Sequence, residues 1–191
     1  MKKNISDVWA NTRPFRPVLI IVIVLFVFFS AVVPGFFTPL NIQNILASQS
    51  ILWIIAIGMT LVIISGGFDL SVGSNAAVCG IFLAKVLEAQ LLPEPIALVA
   101  TIIFGAVIGG VLNGIFVGFF RLNVFVVTLA SMIALEGVVY IWTNLQSIYI
   151  SAPVIDYISI YRLFGVQTPI YTMVFIFVIF LFIQKYTFFG F

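Results

Sequence analysis

A chain of 191 residues that is 63% hydrophobic and only 7% charged, with a net charge of +2, cannot cover a water-exposed surface, because a soluble domain carries about 25% charged residues. It has no histidine and a single cysteine, Cys79, which excludes a histidine-based zinc site, a Ser-His triad and an internal disulfide framework. Lipid is the solvent that fits, and there every backbone polar group needs an internal partner, leaving helices or closed barrels; long apolar runs without period-two alternation favour helices.

Residues 1–17 hold Lys2, Lys3, Arg13 and Arg16 and precede an apolar run at 18–33. A secretory apolar region is about 7–15 residues long. This run lies at the upper edge, no small-x-small cleavage site follows, and further apolar runs come later, so it reads as a retained first span. Pro34, Gly35 and Pro39 break it. The purely apolar stretch 51–64 is too short to cross about 30 Å at about 1.5 Å per residue. The second span therefore starts near residue 42 and carries a polar outer end, with Asn44, Ser48 and Gln49 facing protein or water. The third span is expected at 72–90, the fourth at 96–118 and the fifth at 124–143. A long connection, 144–168, contains Asp156 and Arg162; Val154, Ile158 and Tyr161 at helical spacing predict a short interfacial helix over 154–164. The sixth span, 169–184, ends at Lys185.

The N-terminal four basic residues, Arg121 and Lys185 fall on one side, and Lys85 and Arg162 on the other. Basic residues mark the cytoplasmic side, so both ends are cytoplasmic and 144–168 is extracytoplasmic. The reading is all-α: one transmembrane domain over 1–191, a polytopic bundle of about six spans in a lipid bilayer. The basic residues are scattered and give no nucleic-acid signal.

The segment Ser65-Gly66-Gly67-Phe68-Asp69-Leu70-Ser71-Val72-Gly73-Ser74 interrupts the pattern. Its glycines permit a backbone with φ > 0, and Asp69 and Ser71 are residue types that cap the start of a helix. Two readings stand: a capped turn, or a break lining a transport route with Asp69 beside it. In the fourth span, Gly105, Gly109, Gly110, Gly114 and Gly118 include four-residue spacings that let a neighbouring helix approach closely, read as packing within the chain or as a subunit interface. Asn113 in that span is expected to bond a neighbouring helix, with a pore-lining role as the other reading. Glu136 in the fifth span is a carboxylate at a depth where charge is costly, read either as functional or as reaching the headgroups or another helix. Lys85 and Glu88 can pair on one helical face. Trp53, Trp142, Tyr140, Tyr149, Tyr157 and Tyr161 form an aromatic belt toward the outer boundary. There is no phosphate-binding loop ending in Gly-Lys-Ser/Thr and no nucleophile beside a base, so no catalytic residue, metal or cofactor is expected.

Three segments carry a family resemblance. Phe37-Thr38-Pro39-Leu40-Asn41-Ile42 leads into Ala56-Ile57-Gly58-Met59-Thr60-Leu61-Val62-Ile63-Ile64-Ser65 and the Gly66–Ser74 segment; Leu112-Asn113-Gly114 is followed by Asn123-Val124-Phe125-Val126-Val127-Thr128-Leu129; and Tyr186-Thr187-Phe188-Phe189-Gly190 follows the sixth span. The chain resembles the membrane permease of ribose-type sugar ABC importers. The resemblance implies a bacterial plasma (inner) membrane bundle that pairs as a homodimer or heterodimer around a central path. It implies sugar delivered by an extracytoplasmic binding protein, energy from a cytoplasmic ATP-binding subunit, and alternation between two packings. The substrate implied is ribose, a related monosaccharide or autoinducer-2. Asp69, Ser71, Asn113, Asn44, Ser48 and Gln49 are the expected path residues. Members of that family are longer, and a basic residue follows where Phe191 stands, so the resemblance implies an N-terminal portion truncated at its C-terminus. Glu136 stands before glycine where the family more often has a basic residue. An ion-coupled secondary transporter and a scaffold subunit without transport activity are the alternatives.

Overall fold

A computed structural model describes residues 13–187 of the chain; Lys2 and Lys3, most of the predicted cytoplasmic segment, and Phe188-Phe189-Gly190 lie outside the described residues. The chain divides into two units, Met1–Leu46 and Ala47–Phe191. The elements are a 3-10 turn at Arg13–Phe15, then α1 (Arg16–Val32), α2 (Pro39–Ile64), α3 (Val72–Glu88), α4 (Glu94–Ala106), α5 (Val124–Thr143), α6 (Pro153–Ser159), β1 (Arg162–Leu163), β2 (Val166–Gln167) and α7 (Thr168–Tyr186). Two π-helical stretches, Val107–Leu112 and Ile115–Phe119, prolong α4 into one apolar helix, Glu94–Phe119.

In the first unit, α1 carries no buried residue. Gly35 takes φ +81° in the turn that ends it. Thr38 caps α2: its Oγ1 accepts the Asn41 N–H at 3.3 Å, and Pro39 at the first helical position needs no such partner. The rings of Phe36 and Phe37 meet that of Phe26 edge-on, each at 5.6 Å between centroids.

In the second unit, α2 stops at Gly66, which has φ +83°. Gly67 N–H reaches Val62 C=O and Gly66 N–H reaches Ile63 C=O, both at 3.0 Å; this is the paired closure that a left-handed residue makes possible at a helix end. Among the described residues, four helices are long and apolar enough to cross a membrane: Pro39–Ile64, Glu94–Phe119, Val124–Thr143 and Thr168–Tyr186. The other two expected spans form helices of 17 residues each, Arg16–Val32 and Val72–Glu88, about 25 Å long and at the short end for spanning.

The core lies around α3, which packs against α4 and α5 and buries Ser74, Val78, Ala84 and Val86. Its sequence is interrupted by glycine, asparagine and serine, yet it holds more buried residues than its longer neighbours. A helix walled by protein need not be apolar all round, whereas a lipid-facing helix must be. The outer connection differs from expectation. The interfacial helix ends at Ser159, and β1 and β2 form a hairpin with Leu163 opposite Val166. The turn residues Phe164 and Gly165 have φ +50° and +81°, the sign pattern of a two-residue type I′ turn.

Gly105 and Gly109 face α3 closely. A methyl group on Gly105 would lie 2.7 Å from Cys79 Sγ, and one on Gly109 would lie 2.9 Å from Asn75 Nδ2. At Gly110, Gly114 and Gly118 a methyl would meet nothing within 4 Å. Gly105→Ala is therefore expected to destabilise the α3–α4 pair by about 1–3 kcal/mol through overpacking, while Gly110→Ala is close to neutral. Adding Cys79→Ala to Gly105→Ala, which removes the opposing sulfur, recovers most of the loss. Thermal unfolding of the four proteins in detergent checks this.

Candidate functional site at the break between α2 and α3

The break places Asp69 just before α3, with its carboxylate bent back on the chain. Asp69 Oδ1 accepts both the Ser71 N–H and the Ser71 hydroxyl, each at 2.7 Å. Ser71 precedes the first residue of α3, but its side chain caps no amide of that helix. Its hydroxyl instead accepts Asn113 Nδ2–H from α4 at 2.9 Å. Asn113 Oδ1 in turn accepts the Ser131 hydroxyl from α5 at 2.5 Å. One chain of hydrogen bonds, Asp69–Ser71–Asn113–Ser131, thus runs from the loop through the start of α3 and across α4 to α5. Thr128, one turn before Ser131, gives its hydroxyl to Phe68 C=O at 3.3 Å and to Val124 C=O at 2.9 Å, fastening the loop to α5 a second time. Ser71, Asn113 and Thr128 are all buried.

The register of α3 against α4 produces this meeting. Cys79 lies at Gly105, Asn75 at Gly109 and Ser71 at Asn113. These pairs step by one helical turn in opposite directions, as antiparallel neighbours do. Asn75 adds another link, Nδ2–H to Gly105 C=O at 3.1 Å, where the α-helical part of the span gives way to the π-helical part. Asn113 itself sits between the two π-helical stretches. Such turns are frequent where a helix re-aims a functional side chain.

Beside the network is a cavity of about 300 Å³, lined by Val62, Ser65, Gly66, Gly67, Asp69, Asn113, Gly114, Val117, Val124 and Thr128. Asp69 Oδ1 is engaged twice, and its second oxygen bonds no described residue. A carboxylate accepts at both oxygens, so the second remains available to a further donor. No group of three or more metal-ligating side chains occurs among the described residues.

Of the residues expected on a path, Asp69, Ser71 and Asn113 come together here. Ser48 and Gln49 do not line this cavity. Gln49 precedes the end of α2 by fifteen residues, about 22 Å along the helix. Asn44 belongs to the first unit. Ser131, Thr128 and Asn75 escaped the sequence reading. Ser131 and Thr128 each stand in an apolar run, and polarity at that depth was the signal available; Asn75 stands beside Ser74 in the first turn of α3. Lys85 and Glu88 pair at 3.2 Å on an exposed face.

Interhelical hydrogen bonds inside membranes are worth about 0.6 kcal/mol on average, and up to about 1.7 kcal/mol. Asn113→Ala removes two such links, leaving the Ser131 hydroxyl without its acceptor across the helices and the Ser71 oxygen without its donor, so it is expected to cost about 1–3 kcal/mol. Ser131→Ala removes one link and costs about 1 kcal/mol. Unfolding in detergent against denaturant checks the order; equal losses would mean that Asn113 does not bridge.

The family model for the branched-chain amino acid transport system / permease component matches residues 41–191. The ribose import permease protein RbsC of Escherichia coli (strain K12) is 37% identical over 159 residues, 81% of this chain and 49% of that protein. The inner membrane ABC transporter permease protein YjfF of the same organism is 43% identical over 130 residues, 66% of this chain and 38% of its own length. The L-arabinose ABC transporter permease protein AraH of Azospirillum brasilense is 32% identical over 176 residues, 91% of this chain and 50% of its own. The chain spans about half the length of the curated relatives it matches, and no solved structure matches it. With its long apolar helices, it is a multi-pass protein of the plasma (inner) membrane. The whole network, from Asp69 to Ser131, lies inside the matched region, and the chain belongs to the branched-chain amino acid transport system / permease component family.

Proposed function

We propose that this chain serves as a membrane-spanning permease subunit of an ATP-driven importer that carries a monosaccharide such as ribose into the cell. The observation that carries the reading is the Asp69–Ser71–Asn113–Ser131 chain, a polar brace across three helices at a break in the membrane bundle. Its similarity to permeases named for ribose, L-arabinose and xylose supports a sugar as cargo.

In this reading, the Arg13, Arg16, Arg121 and Lys185 ends face the cytoplasm. The brace then sits near the cytoplasmic ends of α3, α4 and α5. A cytoplasmic ATP-binding subunit would drive the cycle there, and a sugar-binding protein would deliver cargo to the opposite side. The bundle would pair with a second permease subunit around the path. A two-state transporter needs parts that move as rigid bodies. Asp69, Ser71 and Asn113 would keep α3, α4 and α5 together as one such body, bordering the path by way of the cavity.

Uptake of D-ribose by vesicles holding the chain with its ATP-binding and sugar-binding partners tests this. Uptake is expected to require ATP. Asn at position 69 can still accept both Ser71 hydrogen bonds, so Asp69→Asn is expected to keep uptake within about threefold, whereas Asp69→Ala loses about tenfold or more, as two hydrogen bonds to a charged group disappear. Unchanged uptake in both variants would remove Asp69 from the route and its brace. Uptake that follows a proton or sodium gradient and ignores ATP would contradict the importer reading and favour an ion-coupled carrier.

A further inference from the structure

Glu136 is the membrane-embedded charge that the brace does not use. It is the thirteenth residue of the 20 in α5, about 10 Å short of the outer end at 1.5 Å per residue. It is exposed and forms no hydrogen bond or ion pair with any described residue. Val127, buried in the core, precedes it by two and a half helical turns, so Glu136 points away from that contact. Tyr140 follows it at the spacing of one turn and falls on the same stripe, whereas Thr143, a turn further on, gives its hydroxyl to Val139 C=O at 2.9 Å and borders α3. Tyr140 is 54% exposed. On the inward side, the same stripe is apolar: Met132, Leu129 and Phe125. Polarity along this line therefore begins at Glu136 and continues outward.

A carboxylate does not rest in hydrocarbon without neutralisation, a partner or water. A headgroup role is disfavoured, because glutamate is short and about two turns of helix separate it from the end of α5. We infer that Glu136 and Tyr140 line the wall of a water-filled vestibule that opens to the extracytoplasmic side and admits a hydrated neutral polyol. The carboxylate accepts hydroxyl hydrogens, the tyrosine ring covers a C–H face, and the apolar residues below mark the floor. The solute class rests on the proposed import of a sugar; the aqueous wall does not.

Cysteine accessibility tests it. In a Cys79→Ser background, Glu136→Cys is compared with Ala130→Cys, which is exposed, lies in the membrane, and is a third of a turn round α5. The probe is a charged, membrane-impermeant methanethiosulfonate of monosaccharide size, added from the extracytoplasmic side. Only a hydrated thiol ionises to the reactive thiolate. Position 136 is therefore expected to react about tenfold or more faster than position 130. Reaction of position 136 only with a lipid-soluble maleimide would overturn the inference in favour of a neutral carboxyl in lipid. Reaction with neither reagent would overturn it in favour of a protein contact, including one with a second copy of the chain. Should the cysteine variant fail to fold, the unaltered chain gives the same answer. A water-soluble carbodiimide with glycine ethyl ester is expected to modify Glu136, as read by peptide mass; modification only by dicyclohexylcarbodiimide, or none, would overturn the proposal. Labelling that succeeds where ATP-driven uptake fails would count against the importer reading alone.

Discussion

In hydrocarbon an amide or hydroxyl has no water to bond, so each polar side chain on a spanning helix must find another or face a cavity. Asn113 embodies that constraint. Its amide can donate and accept at once, and it spends one bond on Ser71 and one on Ser131. Lipid tails are as apolar as leucine, and helices in a bilayer gain little by hiding apolar faces from them. Close backbone approach and polar cross-links take over that role. Both occur on one face of α4, where Gly105 and Gly109 let α3 in and Asn113 fastens it.

The two features depend on each other. A β-carbon at Gly105 or Gly109 would push α3 away and carry Ser71 out of reach of Asn113. Without the Asn113 bond, the glycine surface offers dispersion contacts and the single Asn75–Gly105 hydrogen bond. Asp69 ties this helix pair to the preceding loop by holding both the amide and the hydroxyl of Ser71. Gly66 makes that loop possible by closing α2 with φ +83°. The break therefore functions as a joint with fixed geometry, fastened by Asn113 from between two π-helical stretches.

Much of this was legible in the amino-acid sequence. Hydropathy placed α5 at its observed bounds, 124–143, and depth-dependent polarity picked out Asp69, Ser71 and Asn113. The same signal also picked out Ser48 and Gln49, which lie far along α2 from the cavity; polarity reports a need for a partner but not which partner. Ser131 was passed over because a lone serine in an apolar helix can bond its own backbone. The π-helical turns leave no mark in hydropathy. The β1–β2 hairpin turns on Phe164-Gly165 rather than the Asn-Gly or Asp-Gly pairs that announce such turns. The capping role expected for Ser71 gave way because its hydroxyl donates to Asp69 and accepts from Asn113.

The central claim is that a polar bond between α3 and α4, and not apolar contact alone, holds the joint. A double-mutant cycle with Ser71→Ala, Asn113→Ala and the pair, followed by reversible unfolding in detergent, measures it directly. A coupling energy of about 0.6 kcal/mol or more between the two positions is the predicted result. Losses that add to within about 0.3 kcal/mol would show the two residues to be independent and would contradict the account.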